Sequence, residues 1–277
     1  MAALKRTKAE AEGPAYAAPA LEKGLDILEM LCRSERLLSQ KEIALELDRS
    51  VGEIYRMLAC LVGRNYVVQV GDGYAATTKL FELAHVNPPT HRLLVEATPL
   101  MHKLSGDLDQ SCHLTVYNQG RQIVIAKVDS PSGMGFSLRV GAELDVLVSA
   151  SGRVLLAFQS SETRTLRIAE SVRRRPSQAE PQIERTLDSV RACGFASMAS
   201  VQVRGLFAVS FPILDTQVHA IAALAVPYAE RIDQRQRKSI PAVEKALGAA
   251  ARTLTERMGG AAAAQKVSLA RTHAAER

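Results

Sequence analysis

Between Ser39 and Val68 the apolar positions recur every three to four residues in two short bursts. Ile43, Ala44 and Leu47 make the first stripe, and Ile54, Met57, Leu58 and Leu61 make the second. This is the helical period rather than the alternation of a strand. A Ser-x-x-Glu precedes each burst, Ser39 with Glu42 and Ser50 with Glu53. In such a capping box the serine hydroxyl accepts from the third amide of the helix, and the glutamate reaches back to the serine amide. Two helix starts this close, with a short break at Asp48, Arg49 and Ser50, predict a helix-turn-helix.

The flanking patterns complete a unit. Pro19 stands at a helix start, followed by a stripe of Leu21, Leu25, Leu28 and Leu31 to pack against the helix-turn-helix. Downstream, "YVVQVGDGYAATT" alternates on either side of Gly71-Asp72-Gly73, which predicts a hairpin. The order helix, helix-turn-helix, hairpin describes a winged helix-turn-helix over residues 18–78.

Residues 79–104 read as linker helices. "TKLFELA" is a short helical pattern, Asn87-Pro88-Pro89 breaks it, and Leu93, Leu94, Ala97, Leu100, Met101 and Leu104 resume a stripe. Over 105–258 strands alternate with helices, which predicts a second domain of α+β character. "SCHLTVY" and "RQIVIAKVD" flank Asn118-Gln119-Gly120 as a hairpin, and "GFSLRV" reads as a third strand. "SGRVLLAF", "SETRTLRIAES" and "QIERTLDSVRA" read as helices. "GFASM", "LFAVSFPIL" and "AIAALAVPY" supply further strands, and an amphipathic helix from Ser239 to Met258 closes the domain. Residues 1–17 read as a disordered leader and 259–277 as a flexible tail.

Composition narrows the class. A chain of 277 residues suggests two domains. Apolar stretches such as "AIAALAV" fall far short of the roughly 20 residues of a membrane helix, and the N-terminal residues lack the apolar core of a signal peptide. The expectation is a cytoplasmic protein. Cys32, Cys60, Cys112 and Cys193 show no C-x-x-C spacing, which argues against a disulfide framework and a zinc site. Each reads as a small buried apolar residue. The net charge of +6 invites a nucleic-acid reading, yet up to Val86 eleven basic residues face twelve acidic ones. The basic excess lies later, at "VRRRP" from Val172 and "ERIDQRQRK" from Glu230, and such runs are mostly solvated helix faces.

The reading face of the second short helix follows from its period. With Ile54, Met57, Leu58 and Leu61 inward, Gly52, Tyr55, Arg56 and Ala59 lie outward, and the N-terminal part of this helix enters the major groove in such motifs. Candidate DNA-binding residues are therefore Arg49, Ser50, Gly52, Glu53, Tyr55 and Arg56. Arg56 suits a phosphate or guanine, with an ion pair to Glu53 or Asp48 as the alternative. Tyr55 is either a DNA contact or a packed edge aromatic. Glu53 is either an acceptor for a cytosine amino group or simply the partner of its capping box. Gly52 weakens the helix by up to about 1 kcal/mol and leaves room for close approach to DNA.

Catalysis finds little support. Cys112 and His113 are adjacent, but neighbours in a strand point to opposite faces and cannot form a dyad with each other. Cys112 is left to line a pocket or a core. Ser149 and Ser151 lack the G-x-S-x-G elbow of hydrolases. There is no glycine-rich phosphate loop and no metal-ligating cluster, so neither cofactor nor metal is expected.

The chain resembles the IclR family of bacterial transcriptional regulators over roughly Ala18 to Met258. The likeness rests on "LEKGLDILEML", "EIYRMLACLVGRNYV", "VGAELDVLVSASGRVLLAF" and "CGFASM" with "RGLFAVSFPILD". It implies a winged helix-turn-helix joined by a helical linker to a GAF-like α/β effector-binding domain. It also implies dimers or tetramers on palindromic double-stranded DNA operators. Because one helix-turn-helix contacts only a half-site, dimerisation is expected through the connector helix Lys79–His85 and the opening helix. The chain departs from the family at Gly52 and Glu53, where small hydroxyl residues are common. By position the resemblance implies an effector pocket formed by Ala150, Ser151 and Gly152 at a helix start, where free amides suit a carboxylate. Met198, Pro212, Ala225 and Pro227 fall where the family often places acidic, thiol or hydroxyl groups. Their apolar character here favours a larger organic or aromatic acid over a glyoxylate-sized effector. A degenerate helix-turn-helix serving as a ligand-sensing interaction module is the competing reading, and an enzyme with an accessory helix-turn-helix is a third.

Overall fold

The computed structural model describes residues 18–86, 88–133, 135–178, 180–230 and 238–260. The leader 1–17, the tail beyond Gly260 and the basic run 231–237 lie outside the described residues. The chain divides into two compact units at Pro88 and Pro89.

In the first unit α1 (Pro19–Arg33) opens on its proline and buries Ile27, Leu28 and Leu31. Leu21 and Leu25, expected on the packed stripe, are exposed at 62% and 47%. The contact surface of the helix-turn-helix is exhausted by the second half of α1. Both capping boxes form, at the start of α2 (Gln40–Glu46) and of α3 (Val51–Gly63). The break between them is made by Asp48, whose φ of +51° takes the chain out of α2, with the Arg49 amide closing onto Ala44 O at 2.9 Å. Aspartate is among the few residues that tolerate this left-handed region. The hairpin pairs β2 (Val67–Val70) with β3 (Gly73–Ala76) across Gly71-Asp72. A third strand, β1 (Leu38–Ser39), pairs with β3 through Leu38 and Tyr74. Gly73 permits this, because a Cβ there would lie 2.8 Å from the Leu37 Cβ. The short helix α4 (Lys79–Val86) ends the unit.

The residues 79–104 expected as a connector are divided. Helix α5 (Pro88–Leu108) sends Leu93, Ala97, Met101, Leu104 and Leu108 into the core of the second unit. That unit is built on one antiparallel sheet of six strands, in the order β6-β5-β4-β9-β8-β7. In chain order they are β4 (Cys112–Asn118), β5 (Arg121–Val128), β6 (Glu143–Asp145), β7 (Ala196–Ala199), β8 (Leu206–Leu214) and β9 (Ala220–Ala229). The turn from β4 to β5 has Gln119 at φ +45° and Gly120 at φ +80°, the left-handed pair of a type I′ turn. "GFSLRV" is not a strand. The third strand forms further along, at Glu143–Asp145, where it pairs with Arg121–Ile123.

The sheet is covered on both faces. Helices α5 and α9 (Ile240–Arg257) cover Cys112, Leu114, Val209, Phe211, Ile213, Leu224 and Val226. Gly248 of α9 leaves space for the Phe211 ring, which a Cβ would meet at 3.0 Å. The other face lies under α6 (Ala150–Ala157), α7 (Ser161–Arg174) and α8 (Ile183–Cys193), with Val154, Leu155, Leu187, Ala196 and Ala223 in its core. Among the described residues no helix is long and apolar enough to cross a membrane.

Candidate nucleic-acid interface and effector site

On α3 the inward side chains Ile54 and Leu58 are buried, and Gly52, Tyr55, Arg56 and Ala59 are exposed, as the period requires. Tyr55 stands 61% exposed, so it is not a packed edge aromatic. Arg56 makes no ion pair or hydrogen bond among the described residues, leaving its five donors free.

Glu53 has a different position. One carboxylate oxygen accepts from Lys23 Nζ of α1 at 2.6 Å. The other accepts from the Ser50 amide at 3.1 Å and the Ser50 hydroxyl at 2.9 Å. The Lys23 ammonium, followed by the Ser50 amide and hydroxyl, holds the Glu53 carboxyl down at about 2. Both oxygens are engaged by the fold, and Glu53 ties α3 to α1. Arg49 lies 3.8 Å from the Asp26 carboxylate. Ser50 is taken up by its cap. Of the six residues expected at the DNA, Gly52, Tyr55 and Arg56 present a clear face, Ser50 and Glu53 are engaged by the α3 cap and by Lys23, and Arg49 stands exposed beside Asp26. The tie to Lys23 was not foreseen; its sequence trace is a lysine on the polar side of α1.

The start of α6 is held by a chain of polar contacts. The Ser149 hydroxyl accepts from the Gly152 amide at 3.1 Å, capping the helix. It also accepts from Gln122 Nε2 at 2.6 Å, and Gln122 Oε1 in turn accepts from the Thr115 hydroxyl at 2.9 Å. The N-terminus of α6 is thereby fixed over β4 and β5. Its other end is tied to the sheet by the Ala220 amide, which donates to Phe158 O at 2.7 Å.

The sequence-predicted effector residues divide between two roles. The amides of Ala150 and Ser151 have no acceptor among the described residues, and both residues are buried. Gly152 is a packing glycine. Its amide is used by Ser149, and a Cβ would meet Val146 O at 2.1 Å. Register puts Ala225 between His113 and Ser210 in one row of the sheet, Pro212 beside Ala223 in the next, and Met198, Ala208 and Pro227 in a third. All lie on the face that α6 covers. Met198 also lines a cavity of about 200 Å³ with Arg153, Val190, Cys193 and Ala196.

Cys112 does not join them. Its thiol packs in the core under α5, 3.5 Å from Met101 O, on the opposite face of the sheet. Burial pushes that thiol up to about 12. Cys32, Cys60 and Cys193, expected to be buried, are exposed. His113 is the residue that faces the α6 side, and sequence reading did not place it there. It is 6% exposed, and burial alone pushes its imidazole down to about 4. Among the described residues no group of three His, Cys, Asp or Glu could hold a metal ion.

A winged helix-turn-helix with an open reading face, joined in one chain to a separate unit whose sheet is roofed by a helix start with free amides, defines a ligand-responsive DNA-binding regulator. Comparison with known families agrees. The IclR helix-turn-helix domain matches residues 20–71, and the C-terminal domain of bacterial IclR transcriptional regulators matches residues 89–256. The chain belongs to the IclR family of transcriptional regulators, which are not enzymes. It is 28% identical over 234 residues to the HTH-type transcriptional regulator KdgR of Escherichia coli K12, covering 81% of this chain and 87% of KdgR. Its fold is similar to that of Thermotoga maritima IclR, with a TM-score of 0.66 at 20% identity over 86% of this chain and 98% of that one. An IclR homolog from Microbacterium hydrocarbonoxydans, solved in complex with 4-hydroxybenzoate, has a TM-score of 0.68 at 17% identity, covering 87% of this chain and 99% of that one.

Proposed function

We propose that the protein is a cytoplasmic homo-oligomer, a dimer or tetramer, that binds a palindromic operator through paired α3 helices and responds to an organic or aromatic acid. The observation that carries the DNA reading is the exposed pair Tyr55 and Arg56 on a helix whose start is fixed by a capping box and by Lys23. Arg56, unpaired, is the cation available at the centre of that face. One helix-turn-helix contacts a half-site, so specific binding calls for two. The exposed apolar side chains of α4, Leu80, Phe81, Leu83 and Val86, with Leu21 and Leu25 of α1, supply a surface for a second copy. The alternative, a degenerate helix-turn-helix acting as an interaction module, is disfavoured by the intact boxes and the open reading face.

The effector reading rests on the two unpaired amides at the positive end of α6, which favour a carboxylate. The apolar floor of Pro212, Ala225 and Pro227 favours an acid with an apolar body over a small ketoacid. The 4-hydroxybenzoate complex of the Microbacterium homolog is in keeping with that class. The test is selection of bound sequences from a random DNA pool with wild type and Arg56→Ala. A palindromic site enriched by wild type and lost by the variant is the expected result. No enriched site, with or without a panel of acids, would remove the DNA reading in favour of the interaction module.

A further inference from the structure

His113 and Ser151 share an unusual condition in this unit. Both side chains are buried, at 6% and 3% exposure, and neither has a hydrogen-bond partner among the described residues. Buried polar groups are normally paired, because an unmade hydrogen bond costs the full desolvation of the group. Arg121 Nε is the one fully sealed side-chain atom without a partner among the described residues. The polar edges of His113 and Ser151 are therefore not fully sealed, and His113 lies on the face of the sheet that α6 covers. Thr115 marks where the α6 cap is tied down, through Gln122 and Ser149. His113 lies two residues before it on the same face, about 7 Å along the strand, beside Ala225 and in line with Ser210.

The nearest charge across β5 is Lys127, in register with His113. Its ammonium is taken by both oxygens of Asp129 at 2.9 Å. The cation of α6, Arg153, is bonded to Leu147 O and Glu180. Among the described residues no free charge faces the imidazole from either element, so the groups on offer are a neutral ring, a hydroxyl and two amides. A second carboxylate at His113 would be desolvated without a counter-charge. A hydroxyl suits it, since it can donate to the bare ring nitrogen or accept from the protonated one.

We infer that His113 reads a hydroxyl on the effector, at the end of the ligand remote from the carboxylate held by Ala150 and Ser151, so that the protein selects hydroxylated acids over their unsubstituted parents. This inference rests on the acid reading of the same site.

The test is calorimetric titration of the full chain at pH 7.5 with 4-hydroxybenzoate and benzoate, and with 4-hydroxyphenylacetate and phenylacetate. In at least one pair the hydroxylated acid should bind at least about tenfold tighter, as expected where a buried polar group is otherwise left unpaired. His113→Leu should abolish that preference while leaving the parent acid within about threefold, and His113→Gln, which keeps a donor and an acceptor, should retain part of it. Equal binding within both pairs, or a preference that survives His113→Leu, overturns the role of His113 and leaves the acid reading standing. Absence of binding by all four acids to millimolar concentration overturns both. If circular dichroism shows that His113→Leu does not fold, the ring 15N shifts of His113 in wild type decide. They should move with the hydroxylated acid and not with its parent, and a shift common to both overturns the inference.

Discussion

Lowering the pH should expose the cost of burying a neutral imidazole at His113. Its folded value lies near 4 against 6.5 for the free side chain, and desolvation is the cause. Above pH 6.5 the ring is neutral in both states and contributes nothing to the pH dependence. Below it the unfolded chain takes up a proton that the folded chain refuses, so stability falls as the pH drops. The loss runs at about 1.4 kcal/mol per pH unit and totals about 3 kcal/mol by pH 4. That sum is a large share of the 5–15 kcal/mol typical of a domain. The assay is urea denaturation followed by circular dichroism, at intervals from pH 8 to pH 4.5, on wild type and His113→Asn. Every other titrating group is common to both chains, so the difference between the two curves isolates His113. Between pH 6 and pH 4.5 wild type should lose about 2 kcal/mol more than the variant. Parallel curves would refute the argument, showing that His113 is solvated or finds an acceptor that stabilises its proton.

Thiol chemistry gives a second check: a thiol reagent should titrate Cys32, Cys60 and Cys193 quickly in the native protein and reach Cys112 only on unfolding, because Cys112 is buried with its thiol pushed up to about 12. Rapid reaction at four thiols would contradict its place under α5. Gly152→Ala should destabilise the second unit by about 1–3 kcal/mol or more, since the added methyl meets the Val146 backbone; an unchanged midpoint in thermal melting would show that the close approach is wrong. Ser50→Ala should cost about 1 kcal/mol through the lost cap, and Lys23→Met should weaken DNA binding without touching the reading face, by loosening α3 from α1. DNA affinity unaltered in Lys23→Met would remove the positioning role assigned to the Lys23 and Glu53 pair.

What the sequence by itself determined is what depends on neighbours in the chain. Helical period and the two Ser-x-x-Glu boxes located α2 and α3, and the boxes form as read. Asn118-Gln119-Gly120 and Gly71-Asp72-Gly73 placed both hairpin turns, and Gln119, Gly120 and Gly71 take the left-handed backbone open to few residues. The outward face of α3 was legible for the same reason. Tertiary structure decided everything that depends on what covers a residue. The stripe of α1 predicted four buried leucines, and two are exposed because no described residue covers them. The sequence paired Glu53 with Ser50 alone, and the tertiary fold adds Lys23, thirty residues earlier, on its other oxygen. "GFSLRV" had the alternation of a strand but not the partner, and the pairing with β5 went to Glu143–Asp145. Strand alternation stated that Cys112 and His113 face apart, but not which of them meets α6. That choice is made by β9, more than a hundred residues away in sequence, whose register against β4 sets His113 beside Ala225. Local periodicity fixes which residues share a face, and only the long-range pairing of faces fixes what each one meets.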